Sequence, residues 1–470
     1  MDFREYVEKL EKFGMLRPLD EQLDLDTEVG PVIRLANDKG LPAVWARKLA
    51  GCMVGSSLVG NLFSAFPRIA VAFGLSPDTD YYELVSWFGS AIQKRRDPIF
   101  VENGPCQENV LLAEEIDISL FPAPKTHPQD GGRYIGTLAN TVCADPDSKW
   151  VNWGNYRTMV HTKNSLGMFL SPANHGGIIL RKYHERGEPM EVAQFYGGDP
   201  LCTIVSASGV PYGTSEMEVV GGMRGQPLEL VKCKSVQLHV PADAELVIEG
   251  TISPGDVQDE GPFGEYPGYV VADVAKRPVF RISAITYRNN PIMPTCCLGY
   301  PTDMLLTNVS APATIKKAME AAGIPVVKVG IPIESNRQAV VVSVKTPVAG
   351  MAHRVANIVW TDRNGAFCPY VFVVNDDVDP MDLGAVFHAL VSKCHPAEKI
   401  HVQKDAWNIP LTPYVRKSPW KEIGVGGANV CFDCTWPVDW SPHEIPHRCD
   451  FENTYSDSLK SRARQIVAKW

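Results

Sequence analysis

The chain has 470 residues, 45% of them hydrophobic and 21% charged, which is typical of a folded protein and excludes a disordered, collagen-like or coiled-coil chain. This length favours about two or three domains over a single core. The 45 Lys and Arg against 54 Asp and Glu leave a formal net charge of −9, so no basic excess exists for binding nucleic-acid phosphates. No run approaches the roughly 18 consecutive apolar residues of a membrane span.

The N-terminal segment predicts a helix and not a signal peptide. Asp2 can cap the helix with Glu5 three residues later, and Gly14 follows its last apolar position. The apolar positions at helical spacing are Phe3, Tyr6, Val7, Leu10 and Phe13. Because no basic segment followed by an apolar one begins the chain, we expect a cytoplasmic protein whose 12 cysteines are thiols.

Further along, the predicted elements change from short apolar runs to strands and then to alternating helices and strands. Apolar runs occupy 53–62 and 69–73, and a segment rich in Pro and Gly between 104 and 132 marks a domain boundary. Residues 246–253 and 279–288 are β-branched and predict strands. The pattern then predicts helices at 313–322 and 351–360 and strands at 324–331, 340–345 and 370–375. This alternation favours an α/β domain with a partly parallel sheet.

The strongest local motif is the acidic loop 259–269, DEGPFGEYPGY. Its Glu260 and Glu265 are five residues apart in a segment that glycines and prolines constrain. Two carboxyl groups in different environments can divide the work of proton transfer, one remaining protonated and the other ionised. On the motif alone, a surface turn with solvated acids is the commoner interpretation.

Two more motifs contain residue types that bind anions and metals. In the segment 152–157, NWGNYR, the arginine can bind a carboxylate or a phosphate as a fork. An asparagine and the neutral His175 could share Mn²⁺ or Mg²⁺ with a carboxylate. Residues 215–222 place Glu216 and Glu218 beside a pair of glycines. Taken singly, these residues are more often structural, and an exposed helix start is the commoner interpretation of the two acids.

Cysteines near the C-terminus offer a competing hypothesis. Cys431 and Cys434 precede His443 and His447, a set that could bind zinc, although the gap between Cys434 and His443 is shorter than in a zinc finger. The adjacent cysteines at 296–297 are predicted to be core. No GxGxxG motif follows a strand and no GxxxxGK[ST] motif occurs, which excludes the standard dinucleotide and P-loop sites.

Taken together, the motifs resemble those of the UbiD-type decarboxylases, which use prenylated FMN. The matching segments, in chain order, are 152–157, 175, 216, 229–233, 260–265, 285–290 and 376–379. They span essentially the whole chain, and several motifs in a fixed order are more specific than any one alone. The chain looks most similar to the branch that acts on unsaturated and (hetero)aromatic acids, which includes the fungal cinnamic and ferulic acid decarboxylases.

The resemblance implies a catalytic network of Arg157, Glu260 and Glu265. Glu265 would donate a proton to carbon, while Arg157 and Glu260 would hold the substrate carboxylate and set the charge. Decarboxylation leaves negative charge on carbon that no side chain can accept, so a cofactor must serve as the electron sink. Burial of Glu265 would favour the protonated form that donation requires.

The resemblance also implies the cofactor contacts. Asn152, His175 and Glu216 match the ligands of a divalent metal, Mn²⁺ or Mg²⁺, that bridges the flavin phosphate, and K⁺ is implied as a further ion. The implied cofactor-binding residues are Asn152, Gly154, Asn155, Arg157, Asn174, His175, Ser206, Glu216 and Arg363. Arg363 stands where the fungal enzymes carry Lys, and Asn174 where they carry Gln, a difference that affects pocket shape more than chemistry.

The substrate pocket implied by the resemblance is mostly apolar, which favours a planar apolar ring over a polyhydroxylated one. Its expected members are Tyr266, Thr302, Leu306, Phe367, Ile409 and Leu411. The expected activity is the reversible, non-oxidative decarboxylation of an aromatic, heteroaromatic or α,β-unsaturated carboxylic acid, with a flavin prenyltransferase supplying the cofactor. A split-barrel flavin reductase and a zinc-dependent interaction protein are the alternatives.

The expected fold is α/β with three parts. Residues 1–115 would form an N-terminal α/β domain, and 116–305 a central split β-barrel of the flavin-binding type that holds the cofactor. Residues 306–470 would form a C-terminal α/β domain with a C-terminal tail, used for assembly into a homodimer or homohexamer.

Overall fold

The computed structural model describes residues 1–270, 274–345, 348–415 and 427–470, and over these it has a mixed α/β fold with several sheets. Its helices are α1 Phe3–Lys12, α2 Val29–Asp38, α3 Phe66–Phe73, α4 Tyr81–Ala91, α5 His175–Glu185, α6 Pro200–Ser206, α7 Glu216–Arg224, α8 Leu306–Ala321, α9 Met351–Thr361, α10 Leu383–Lys393, α11 Phe451–Thr454 and α12 Asp457–Val467. No helix in these ranges is long and apolar enough to cross a bilayer.

The strands follow the predicted change of pattern along the chain. They are β1 Leu16–Leu23, β2 Ala43–Leu49, β3 Ser57–Gly60, β4 Ile99–Val101, β5 Asn109–Leu112, β6 Asn140–Ala144, β7 Val151–Gly154, β8 Thr158–Thr162, β9 Ser165–Met168, β10 Met190–Gly197, β11 Glu229–Lys232, β12 His239–Pro241, β13 Ala244–Glu260, β14 Ala275–Tyr287, β15 Ile292–Thr295, β16 Val326–Gly330, β17 Ala339–Val344, β18 Tyr370–Asn375, β19 Ile400–Ala406 and β20 Gly427–Cys434.

The N-terminal sheet has the order β1-β2-β3-β15. Helix α1 begins with the predicted capping box, in which the Asp2 carboxylate accepts from the Glu5 N–H at 2.8 Å and the Glu5 carboxylate accepts from the Asp2 N–H at 3.1 Å. Strand β15 comes from far along the chain and pairs in parallel with β3. The N-terminal sheet is therefore completed by residues that follow the central region.

The central sheet carries the site. Its order is β7-β6-β10-β13-β14-β9-β8, with β5 pairing β14. The end strands β7 and β8 are neighbours in the chain, and residues 155–157 between them can span no more than about 14 Å, so the two edges of the sheet come close. Strand pairing over the described residues does not join β7 to β8. This part of the chain is thus a mixed sheet with helices, in which the described residues form no closed barrel.

The C-terminal sheet confirms the predicted partly parallel arrangement. Its order is β16-β17-β18-β20-β19; the central pairs β17–β18 and β18–β20 are parallel, and both edge strands are antiparallel. Alternate residues of β17 enter different cores: Val340 and Val342 pack with α8 and α9, whereas Val341 packs with α10. Burial on both faces explains why this strand contains three consecutive valines.

Candidate functional site

The acidic loop meets an arginine across the central sheet. Arg157, in the connection between β7 and β8, donates from Nε to Glu260 Oε1 at 2.9 Å and from Nη2 to Glu260 Oε2 at 2.8 Å. Its Nη1 donates to Glu265 Oε1. The arginine side chain is 8% exposed, and those of Glu260 and Glu265 are 0% and 5% exposed. The interpretation of this loop as a surface turn with solvated acids is therefore wrong.

The two glutamates have different environments although they share one guanidinium. Glu260 Oε1 also accepts from the hydroxyl of Tyr134 at 2.8 Å, so both of its oxygens are hydrogen-bonded. Burial raises the pKa of Tyr134, and the negative charge of Glu260 adds to this shift, so the hydroxyl stays protonated and donates. Glu260 therefore accepts three hydrogen bonds through its two oxygens, two of them from the charged guanidinium.

Residues 127–131 hold the acidic loop in place through hydrogen bonds. The buried Asp130 accepts from the Gly264 N–H at 2.8 Å through Oδ1 and from the His127 N–H at 2.9 Å through Oδ2. Burial opposes the ionised form of Asp130, but these donors and the His127 ring lower its pKa below the usual value. The Gly131 N–H donates to Pro262 O at 2.8 Å. The position of Glu265 thus depends on residues far away in the sequence.

A cavity of about 530 Å³ opens in front of the Arg157–Glu265 pair. Its wall is largely apolar and consists of Thr137, Asn155, Tyr156, Arg157, Phe169, Ser171, Ala173, Asn174, Phe263, Glu265, Leu298, Met304, Arg363, Ala366, Phe367, Trp407, Ile409, Pro410 and Leu411. Half of the expected substrate-pocket set, Phe367, Ile409 and Leu411, lies on this wall. The other half does not line this cavity: Thr302 and Leu306 are buried, and Tyr266 is half-buried.

A second, smaller cavity of about 270 Å³ brings the expected metal ligands together. Asn152 comes from β7, while His175 and Glu216 are the first residues of α5 and α7, and all three are buried. Gly154, Asn155, Asn174, Ser206 and Arg363 line the same cavity, which accounts for most of the remaining expected cofactor contacts. The residues that line both cavities, which are therefore adjacent, are Asn155, Tyr156, Asn174, Met304, Arg363 and Phe367.

The electrostatics of the smaller cavity suit a cation. Burial raises the pKa of Glu216 to about 8, although its Oε2 accepts from the Trp153 N–H at 2.7 Å. Burial, and secondly the charge of Arg363, lowers the pKa of His175 to about 3, so the imidazole is neutral, and Arg363 Nη1 donates to its Nε2. A neutral imidazole, an amide oxygen and a carboxylate are donors that Mn²⁺ and Mg²⁺ accept.

Unsatisfied groups on the same wall fit a polar ligand. Asn155 Oδ1, Trp153 Nε1 and Ser206 Oγ are buried and have no hydrogen-bond partner within the described ranges. Native proteins leave few such groups unpaired, so a bound molecule is the ordinary explanation. The ring of Tyr156 packs against Gly154 and Gly176, where a Cβ would lie 2.5 and 2.7 Å from the nearest ring atom. The residues present therefore fit a phosphorylated flavin with a divalent metal.

The zinc hypothesis is not supported. Within the described parts of the chain, no group of three or more His, Cys, Asp or Glu side chains is placed to hold a metal. Cys431 and Cys434 are buried in β20 and pack in different cores, while His443 and His447 are exposed. The adjacent cysteines at 296–297 are buried, as expected for core residues.

Sequence reasoning missed several residues of the site. Tyr134 had no local signal, because its partner Glu260 is 126 residues away. Tyr156 lies inside the recognised 152–157 motif but was not singled out. Phe169 receives the guanidinium of Arg157, whose Cζ is 4.6 Å from the ring centroid, and Trp407 closes the larger cavity next to Phe367. Aromatic residues of this kind have no spacing rule that would identify them.

Comparisons with known proteins agree with the geometry. Family models of the 3-octaprenyl-4-hydroxybenzoate carboxy-lyase N-terminal, Rift-related and C-terminal domains match residues 7–87, 99–301 and 305–434. The pyrrole-2-carboxylic acid decarboxylase of Pseudomonas aeruginosa is 30% identical over 490 residues, covering 100% of this chain and 97% of the relative.

Solved structures show the same likeness. The vanillic acid decarboxylase of Sedimentibacter hydroxybenzoicus in closed form has a TM-score of 0.87 at 28% identity, covering 99% of this chain and 98% of that one. An evolved dimeric form of the UbiD-class enzyme HmfF from Pelotomaculum thermopropionicum, in complex with prFMN, has a TM-score of 0.81 at 26% identity, covering 95% of this chain and 97% of that one.

Proposed function

Because the chain belongs to the UbiD family of carboxy-lyases, we propose that it decarboxylates an aromatic, heteroaromatic or α,β-unsaturated carboxylic acid, reversibly and without net oxidation, with prenylated FMN as cofactor. The observation that carries the proposal is the pair of buried glutamates on one arginine at the wall of an apolar cavity. An arginine can bind the reacting carboxylate, an apolar wall suits a planar ring, and a carboxyl group can supply the proton.

The charges at the site support a division of roles. A bound substrate would add a third carboxylate to the two glutamates around Arg157, so binding is easier when one glutamate is protonated. Glu260 accepts three hydrogen bonds from Arg157 and Tyr134, whereas Glu265 accepts from Arg157 alone among the described residues, so we assign the role of acid to Glu265. Glu265 would give its proton to the carbon that CO₂ leaves and then pair with Arg157 as a carboxylate. In the reverse direction Glu265 would remove the proton.

Asn152, His175 and Glu216 would hold a divalent metal, Mn²⁺ or Mg²⁺, that anchors the flavin phosphate. The bound flavin would supply the electron sink that decarboxylation needs. The smaller cavity would take the phosphate end, and because the larger cavity is adjacent to it, the ring system would lie close to Arg157 and Glu265. K⁺ belongs to the same proposal as a further ion, with no ligands assigned to it.

We extend the proposal to partners and architecture. A flavin prenyltransferase would supply the cofactor, the central sheet would correspond to a split barrel, and the protein would act in the cytoplasm. Self-association as a homodimer or homohexamer is supported by an apolar stripe on α10 of the C-terminal domain, where Leu383, Phe387 and Val391 are 39%, 63% and 65% exposed at a spacing of four residues.

Carbon dioxide release tests the proposal. Protein produced together with a flavin prenyltransferase should release CO₂ from members of a panel of cinnamic, benzoic and heteroaromatic acids. Protein produced without the prenyltransferase should be nearly inactive, and addition of prenylated FMN with Mn²⁺ should restore turnover. Equal activity of the two preparations would contradict the proposal, and flavin-dependent consumption of NADH without CO₂ release would favour the reductase instead.

A further inference from the structure

Arg337 lies on the wall of the smaller cavity and has no acidic partner among the described residues. Its Nε is buried, and it donates no hydrogen bond within the described ranges. Its guanidinium lies over the ring of Phe367, with Cζ 4.3 Å from the ring centroid. A ring face attracts a cation but does not neutralise it, so no described residue compensates the charge.

A second unsatisfied donor belongs to the same region. The hydroxyl of Tyr266 is buried without a partner. Burial raises the pKa of Tyr266, and the nearby charge of Arg337 opposes that shift. Burial in turn lowers the pKa of Arg337. Both groups therefore offer hydrogen atoms that nothing in the described chain accepts.

The backbone fixes Arg337 in place. The preceding residue, Asn336, donates from Nδ2 to Tyr266 O at 2.8 Å and to Gly299 O at 3.0 Å, and its Oδ1 accepts from the Thr302 N–H at 3.2 Å. Asn336 and Arg337 both have left-handed backbone angles, with φ of 42° and 65°. Residues with side chains adopt this conformation at an energetic cost, and such positions cluster at ligand sites. Two expected pocket residues, Tyr266 and Thr302, are thus tied to the segment that carries Arg337.

We propose that Arg337 binds a second carboxylate of the substrate, remote from the carboxylate that leaves, so that the enzyme prefers aromatic or unsaturated dicarboxylic acids. A planar guanidinium matches the two oxygens of a carboxylate, and the hydroxyl of Tyr266 supplies a further donor. A carboxylate would also remove the uncompensated charge. This inference rests on the proposed decarboxylase function and adds a substrate class to it.

The substrate is favoured over the cofactor as the source of this anion. The expected phosphate anchor already has a cation in Arg363, which contacts His175. Arg337 instead stacks on Phe367, which lines both cavities, and is tied through Asn336 to Tyr266. Both sources present anionic oxygens, so an experiment has to separate the substrate carboxylate from the flavin phosphate.

Binding to the FMN-loaded protein provides that test without requiring turnover. Isothermal titration calorimetry should compare 4-carboxycinnamate with 4-methylcinnamate, which has a similar shape but no second charge. The wild-type protein should bind the dicarboxylate about 10- to 100-fold more tightly, as expected for a charged hydrogen-bonded pair. Arg337→Met should abolish the preference, and Arg337→Lys should retain part of it. Arg354→Met, at an exposed arginine of α9, is the matched control and should keep the wild-type ratio.

The proposal is wrong if the wild-type protein shows no preference for the dicarboxylate or binds neither acid. It is also wrong if the preference survives in Arg337→Met. Loss of FMN from Arg337→Met with the preference intact would assign Arg337 to the phosphate. If the preference depends on Arg337 but prenylated-FMN-loaded protein releases no CO₂ from any acid, the decarboxylase proposal fails and the dicarboxylate site stands.

Discussion

At the scale of single residues, Glu216 is a buried carboxylate that needs a positive charge nearby to remain ionised. Its carboxylate is 2% exposed and has one backbone donor, the Trp153 N–H. Burial raises the pKa of Glu216 to about 8, so near neutral pH the side chain is largely protonated unless a positive charge binds it. The neutral His175 and the amide of Asn152 cannot supply that charge. A divalent metal can, and it would join the side chains of three separate elements.

Removing this carboxylate should release metal and flavin together. In Glu216→Gln, we expect a large loss of bound Mn²⁺ and of bound FMN, because the variant lacks the only anionic ligand of the set. Metal analysis and flavin absorbance of the purified protein measure both quantities. Glu218→Gln, two residues further along the same helix, should keep the wild-type contents. Full flavin content in Glu216→Gln would mean that the three residues do not form the phosphate anchor.

Tyr134 helps to fix Glu260 through a single hydroxyl. In Tyr134→Phe, Glu260 Oε1 keeps only the Arg157 Nε–H donor, so the glutamate and the guanidinium should be less firmly positioned. Turnover at neutral pH should fall by about 10-fold, the effect of one hydrogen bond to a charged group. Tyr6→Phe also removes a buried hydroxyl, which donates to Leu62 O and Arg68 O, and should leave turnover unchanged. Wild-type turnover in Tyr134→Phe would exclude this role.

At the scale of elements, the acidic loop depends on the segment that braces it. A Cβ at Gly131 would lie 2.0 Å from the carbonyl oxygen of Gly261, and a backbone atom cannot move aside as a flexible side chain can. Gly131→Ala should therefore lower the free energy of unfolding by about 1–3 kcal/mol, or displace the loop and reduce turnover.

A helix glycine provides the control for that change. Gly89 lies in α4, where a Cβ would meet the Cβ of Ala313 at 3.5 Å, an ordinary contact. Gly89→Ala should be neutral or stabilising by about 0.5–1 kcal/mol, because alanine has less backbone freedom to lose in a helix. Chemical denaturation and turnover measured on both variants check the pair. Equal effects of the two changes would show that the contact between residues 131 and 261 is unimportant.

Elements could be predicted from the sequence where one local cause dominates. The capping box of α1 and the valine run of β17 were predictable, because a cap and burial on both faces leave a clear pattern. The sequence predicts helix α8 at 313–322, because a proline such as Pro312 usually lies near a helix start. In the structure the helix begins at Leu306 and contains the proline in its buried interior. Strand β13 runs past 253 to Glu260 because pairing with β14 resumes after an irregularity.

At the scale of the whole molecule, the site forms where distant segments converge. Motifs in fixed order identified Arg157, Glu260 and Glu265 as one group, and the structure places all three in contact. The wall contributed by the C-terminal domain was less accessible to sequence reasoning. Trp407 packs against Phe367 although the two residues lie far apart in the sequence, and no local pattern records that contact. Arg337 could not be predicted either, because its contact with Phe367 leaves no local sequence pattern.

The exchange of the product C–H hydrogen with deuterated water tests the central claim most directly, because by microscopic reversibility it uses the same proton as decarboxylation. Protein loaded with prenylated FMN should incorporate deuterium into the decarboxylated product, measured by mass spectrometry. Glu265→Gln, which keeps the size of the side chain but has no acidic proton, should retain flavin and lose about 100- to 10,000-fold of the exchange rate. Glu185→Gln, at an exposed position of α5, should exchange like the wild type. Exchange at the wild-type rate in Glu265→Gln would show that another group carries the proton and would contradict the account.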